Sequence, residues 1–306
     1  MAWFAPPKEI STRVFARVPD AYRKPERNSW TDSNKGGAII DSFLEGPCLD
    51  DDGAILVTDI PYGRIFRISP DGKDWQLISQ YEGWPNGMKI RGDGSLLITD
   101  YRRGLVAIDR KTGATREVLG TVKSESFKGV NDLCFSESGD VYFTDQGQTG
   151  MQNPTGRVFR WNKDGRIECL IDTCPSPNGL VLDKSGRALY VALTRACQIW
   201  RLPVSQDGVI PKGQVFCHLP GGISGPDGMA IDAEDGVIVA SPAHACLWRL
   251  DRYGIPTHRI LSCAGRAVTN LCFGGPGLSQ IFMTDSDTGQ VLVADAPVAG
   301  HPVPRA

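Results

Sequence analysis

The sequence predicts an all-β fold, a six-bladed β-propeller in which residues 1–306 form one domain. Two observations carry that expectation. Six segments of similar pattern begin at Glu45, Asn86, Asn131, Asn178, Asp227 and Asn270, so the period is 41 to 49 residues. That period suits a blade of four short strands. The last repeat also runs out of chain near Asp295 with one strand missing, and the N-terminal TRVFARV (residues 12–18) has the pattern to supply it. An N-terminal strand that completes the last blade closes the ring and removes two exposed edges.

Each repeat reads as strands A to D. Strand A ends in a tight turn carrying glycine, at Asp52-Gly53, Asp93-Gly94, Ser138-Gly139, Ser185-Gly186 and Asp235-Gly236. Glycine there supplies the positive φ that a hairpin requires. Strand B is an apolar β-branched run such as AILVTD or DVYFTD, and strand C is the next one, as in GRIFRIS or GRVFRWN. Strand D is WQLISQY, TREVLG, IECLID, QVFCHL and THRILS in blades one to five. Four B strands close on a Thr-Asp pair, at Asp59, Asp100, Asp145 and Asp285. We assign these a structural turn bond into the B–C connection.

The net charge of -2, with no run of Lys or Arg, gives no electrostatic case for a nucleic-acid or membrane partner. No apolar run approaches the about 18 residues a bilayer span needs. The opening MAWFAPPKEI lacks the basic and apolar regions of a secretory signal, so the expectation is a cytoplasmic protein. Nine cysteines show no zinc-finger spacing, and Cys48, Cys134 and Cys272 recur at one place in their repeats, as small buried hydrophobes do.

Strand direction places the D–A and B–C loops on one face and the A–B hairpins on the other. Strand A is innermost, so the residues opening each A strand encircle the central channel. Those residues are Glu45, Asn86, Asn131, Asn178, Asp227 and Asn270. Asn-Gly and Asp-Gly pairs also form turns, which would account for Asn86, Asn178 and Asp227. A turn role does not account for Glu45. Carboxylate and carboxamide oxygens around a channel suit a hard divalent cation, with Ca2+ first and Mg2+, Mn2+ or Zn2+ as alternatives. The absence of histidine from the ring weighs against the usual catalytic zinc site.

The motifs LEGP at 44–47, GVND at 129–132, SPNGL at 176–180, GPDGM at 225–229 and TNLCFGG at 269–275 resemble the senescence marker protein/gluconolactonase family. That family includes regucalcin, gluconolactonases and diisopropyl fluorophosphatase. The resemblance implies a metal held by Glu45, Asn131, Asn178 and Asp227, with Asn86 and Asn270 outside the ligand set. It implies a metal-dependent hydrolase that opens a small lactone, with Asp227 as catalytic base or nucleophile-orienting residue. A phosphotriesterase and a non-catalytic calcium-binding propeller are the alternatives, because the fold alone does not set the function.

The rim of the same face offers substrate-binding candidates: Trp84 and Asn86, Tyr101, Lys128, Gln146, Arg195 and His244. Tyr62 and Arg102 lie in the same set of loops. The longest B–C loop runs from Gln146 to Gly156, and the segment between the N-terminal strand and Glu45 is long enough to form a lid. The regucalcin branch carries an arginine where this chain has Gly129, which points to a lactone other than an aldonolactone. Trp84 offers an apolar wall for one.

Overall fold

The computed structural model describes residues 5–205 and 211–305, so Met1–Phe4, which entered the reading of the N-terminus, lies outside the described residues. Six small sheets stand around a central channel as six blades, and the only α-helix among the described residues has six residues. The inner strands are Leu44–Leu49, Pro85–Ile90, Val130–Phe135, Pro177–Leu182, Met229–Ile231 and Val268–Gly274. Every blade runs outward from its inner strand through antiparallel neighbours, as blade three does through Val141–Asp145, Gly156–Trp161 and Ile167–Cys174.

The second strands are buried throughout, since both of their faces meet a neighbouring blade. That is why they read as continuous apolar runs rather than as alternating ones. Between blades the packing is aliphatic and aromatic. Within blade three, the strand partners Phe143 and Phe159 stack at 5.3 Å, and Phe127 meets both edge-on.

The ring closes as expected. Arg13–Arg17 pairs antiparallel with Gln290–Asp295 and becomes the outer strand of blade six. A second N-terminal strand was not foreseen: Lys8–Ser11 pairs in parallel with Pro256–Leu261, giving blade five a fifth strand. The N-terminal arm therefore stitches two blades together, and Thr12 at its bend donates its hydroxyl to Leu261 O at 2.8 Å.

One register expectation needs correction. In blade three Val130 pairs with Asp145, and in blade six Val268 pairs with Asp285. Thr269, not Asn270, therefore opens blade six at the ring position, and Asn270 stands one residue deeper, level with Asp132. Both segments carry Asn, at 131 and 270, and the bulge at the top of each inner strand hides the offset from a comparison of sequences.

The chain between the N-terminal strands and Glu45 folds over the loop face. It contains a helix, α1 (Ser29–Asn34), whose Asn28 cap accepts from the Trp30 and Thr31 amides at 3.1 Å while Thr31 returns a bond to the Asn28 amide. This reciprocal cap lets so short a helix persist. Trp30 is buried against Phe43, 4.8 Å between ring centroids. Arg64 holds the segment to blade one, donating to Tyr22 O at 2.8 Å and pairing with the buried Asp59.

Candidate functional site

The inner strands of blades one, two, three, four and six each lose register at the top of the channel, between Glu45 and Cys48, Pro85 and Met88, Val130 and Leu133, Pro177 and Leu180, and Val268 and Asn270. A bulge bends the strand and re-aims its side chains. Here it turns two successive residues inward instead of one. In blade five the inner strand begins only at Met229, and Asp227 sits on its extension, its amide bonded to Ala240 O at 3.0 Å.

The two inward residues form two tiers. The upper tier is Glu45, Asn86, Asn131, Asn178, Asp227 and Thr269. The lower tier is Gly46, Gly87, Asp132, Gly179, Gly228 and Asn270. The glycines are obligatory by close approach: a Cβ on Gly87 would collide with Asp132, and one on Gly228 with the Asn270 carboxamide. Only two side chains fit the lower tier, and Asn270 and Asp132 fill it.

Blade-to-blade bonds fix the tiers. The Thr58 hydroxyl donates to Asn86 O at 2.8 Å, Thr99 to Asn131 O, Thr144 to Asn178 O at 2.7 Å and Thr194 to Pro226 O at 2.8 Å. Ser286 closes the circle on Leu44 O at 2.6 Å. The aspartates that follow Thr58, Thr99, Thr144 and Thr284 are fully buried and structural. Asp100 makes the expected turn bonds, to the Arg102 and Arg103 amides, while Asp59 and Asp145 hold the residue that leads into the inner strand together with an arginine of strand C. Asp285 accepts from Gly265 N and Ser262 Oγ.

Within the upper tier, Glu45 and Asn131 each have one polar group engaged. Glu45 is 4% exposed, and its Oε2 accepts from Gly46 N at 2.8 Å and Asn270 Nδ2 at 2.9 Å. Asn131 donates Nδ2 to Gln146 Oε1 at 2.9 Å, and Gln146 Nε2 donates to Ser176 Oγ at 3.0 Å. The Asn178 side chain stands close enough to Asp227 to favour its ionised form. The amide hydrogens of Asn131 are thereby turned away and its oxygen toward the channel.

Three carboxylates share this low-dielectric space. Burial, reinforced by Asp132, pushes Glu45 up to about 7, against the pull of Gly46 N and Asn270. Burial and then Glu45 and Asp132 push Asp227 well above the usual carboxylate range. Asp132 is raised by burial, with Lys89 opposing. Carboxyl groups so destabilised as anions are suited to a cation that neutralises them. The donor set fits a hard divalent ion: Glu45 and Asp227 carboxylates with Asn131 and Asn178 carbonyl oxygens. Among the described residues no group of three His, Cys, Asp or Glu side chains is placed to hold a metal, so such a site depends on the two asparagines.

Around the mouth, Tyr101 accepts from Gln148 Nε2 at 3.0 Å and lies 5.8 Å from the Trp84 ring. Asn86 is half-buried in the ring itself. Lys128 is exposed, and its ammonium donates to Thr155 O and Oγ1 at 2.6 Å. His244 Nδ1 is 3.0 Å from Ser241 Oγ, and Arg195 is exposed on a short 3-10 turn. Tyr62 is bound to the lid through Ile40 O. Sequence reasoning missed Asp132, Thr269 and the lid's Lys35. Lys35 lies 4.4 Å over the Phe43 ring, its pKa lowered by desolvation and pulled up by Asp287 and Asp227.

The opposite mouth holds a cavity of about 740 Å3, lined by Cys48, Cys134, Cys272, Lys89 and the C-terminal segment. Burial pushes the Cys134 thiol up to about 12 and raises those of Cys48 and Cys272. Thiols held protonated are poor nucleophiles.

Comparison with known proteins places the chain in a family. A gluconolactonase of Zymomonas mobilis is 31% identical over 276 residues, covering 80% of this chain and 76% of that protein. Lactonase drp35 of Staphylococcus aureus is 27% identical over 273 residues, covering 84% and 82%. The solved structure of a calcium-binding protein, regucalcin, from Agrobacterium tumefaciens superposes with a TM-score of 0.78 at 20% identity, covering 99% of each chain, and shares the fold. The family model of the SMP-30/Gluconolactonase/LRE-like region matches residues 43–287, from the residue before the first blade to the loop within the last, and the chain belongs to that family.

Proposed function

We propose that this protein is a lactonase, a metal-dependent hydrolase that opens a small lactone to its hydroxy acid. The observation that carries the proposal is the upper tier, where two carboxylates with raised pKa values share the ring with the carboxamides of Asn131 and Asn178, and Asn131 has its amide nitrogen committed to Gln146. The names of its relatives, gluconolactonase and lactonase, supply the reaction class.

Glu45, Asn131, Asn178 and Asp227 would hold one divalent cation, Ca2+ by the hardness of four oxygen donors. When bound, the ion supplies Lewis-acid polarisation of the ester carbonyl and stabilises charge on its oxygen. Asp227 is partly open to the mouth and is the base. It takes a proton from water as the water oxygen attacks the carbonyl carbon. Cleavage of the ring C–O bond follows, and the proton passes to the departing alkoxide, which leaves a hydroxy acid. Asn178 favours the ionised Asp227 carboxylate beside it, and Gln146 positions Asn131.

No helix among the described residues is long and apolar enough to cross a membrane. All nine cysteines are free, which fits a reducing, cytoplasmic setting.

The test is acid release from a panel of sugar and non-sugar lactones by chelator-treated protein, before and after Ca2+, Mg2+, Mn2+ or Zn2+ is restored. Ring opening restored by metal and abolished in Asp227→Asn supports the reading. Full turnover in an Asp227→Asn protein that still binds metal removes Asp227 as base, and silence with every metal and lactone removes the lactonase.

A further inference from the structure

We propose that Tyr101, seated with Trp84 beside the upper tier, is the specificity-determining residue and selects lactones that carry an apolar alkyl or aryl face over polyhydroxylated ones. The inference rests on the lactonase reading for the bond that reacts, but the recognition it describes has a readout of its own.

Gly129, two residues before Asn131, has φ of +148°. A Cβ there would fall inside contact distance of three atoms of the Tyr101 ring. No side chain can leave blade three at this point, because blade two has filled the space with an aromatic ring. Trp84, two residues before Asn86, lies against the same ring at an interplanar angle of 39°. The Arg102 guanidinium sits 5.4 Å from the Trp84 ring. The rim between Asn86 and Asn131 is therefore aromatic.

Several of its polar groups already have partners. The Tyr101 hydroxyl accepts from Gln148, whose Nε2 also reaches Asn34 Oδ1 of α1 at 3.4 Å. Gln146 spans Asn131 and Ser176. Lys128 is turned to Thr155. A polyhydroxylated ring laid against the two aromatic rings would surrender hydrogen bonds to water and regain only those that Asn86 and Arg102 at the edges offer, whereas an apolar or aryl face gains burial against the rings. The Gln148 bridge to α1 also ties the wall to the lid, which fixes the ring's orientation.

The experiment compares kcat/KM for an aryl-fused δ-lactone and for glucono-δ-lactone in the metal-loaded wild type, Tyr101→Phe and Tyr101→Ala. The wild type should prefer the aryl lactone by roughly tenfold or more. Tyr101→Phe, which keeps the ring and loses the hydroxyl, should retain the preference. Tyr101→Ala should lose roughly tenfold of it, mostly through KM. A wild type that prefers the sugar lactone, or an alanine variant that slows both substrates equally, overturns the proposal. Calorimetric binding of the matching aryl-fused and polyhydroxylated lactams separates this from failure of the lactonase reading. If no lactone is opened, aryl-lactam binding that weakens in Tyr101→Ala still supports the wall, and binding indifferent to the substitution overturns it.

Discussion

Replacing Glu45 by glutamine in metal-free protein should stabilise the fold above neutral pH while removing the response to Ca2+. Glu45 is almost wholly buried near Asp132 and Asp227, and its carboxyl is pushed from the ordinary 4.5 up to about 7. A carboxyl whose folded pKa is raised binds more protons in the native than in the unfolded state between those two values. Its contribution to stability is thus greatest below about 4.5 and is lost as pH rises through about 7. The interval corresponds to on the order of 3 kcal/mol of destabilisation at pH 8 when no cation is present. Glutamine keeps an oxygen for Gly46 N and Asn270 Nδ2 but carries no charge.

Thermal unfolding at pH 5 and pH 8, in chelator and in excess Ca2+, reads the effect. A chain of this length shifts its Tm by about 5 °C for such a change. In chelator, Glu45→Gln should melt about 5 °C above the wild type at pH 8 and near it at pH 5. Added Ca2+ should raise the wild type well above the variant. Equal Tm differences between the two proteins at both pH values would refute the assignment of a buried, cation-requiring carboxylate.

Two further outcomes follow from the positioning bonds. Gln146→Leu removes the acceptor that holds Asn131 Nδ2 away from the channel, and Ca2+ affinity by calorimetry should fall about 10- to 100-fold, as for other groups that orient metal ligands. Arg64→Met leaves Asp59 buried without its cation and frees the lid from Tyr22 O, so denaturant unfolding should show a loss of about 3–5 kcal/mol.

The blades were legible because each strand's burial is written in its own pattern. GRVFRWN and its equivalents become strands at the expected places, and the unpaired edge of blade six announced the N-terminal strand. Lys8–Ser11 was not legible, since its pairing with Pro256–Leu261 is parallel and depends on where the arm emerges. The ring positions of blades one to five could be read from the repeats, but that of blade six could not, because Asn270 imitates the asparagines that open blades two to four while standing one residue deeper. Gln146 and Tyr101 were visible as rim residues, but their partners were not. Gln146 reaches Ser176, 30 residues away, and Tyr101 meets Gly129 across a blade boundary. Thr58, Thr99 and Thr144 carried a signal that was passed over, a hydroxyl at the same place before each buried aspartate.

The two tiers also explain where this site can vary. Four glycines in the lower tier are required because inner strands converge too closely for side chains, and Asp132 and Asn270 occupy the space that remains. Asn270 in turn orients Glu45, so a change in either tier propagates to a candidate ligand. The inner channel is therefore resistant to substitution for reasons of packing as much as of chemistry. The loops above it meet no such constraint: Tyr101 can fill the place of a side chain at position 129 because nothing but the rim depends on it. Substrate choice is then free to change at the mouth while the oxygen donors beneath stay as they are, and a rim substitution should alter which lactone is opened before it alters whether a cation is held.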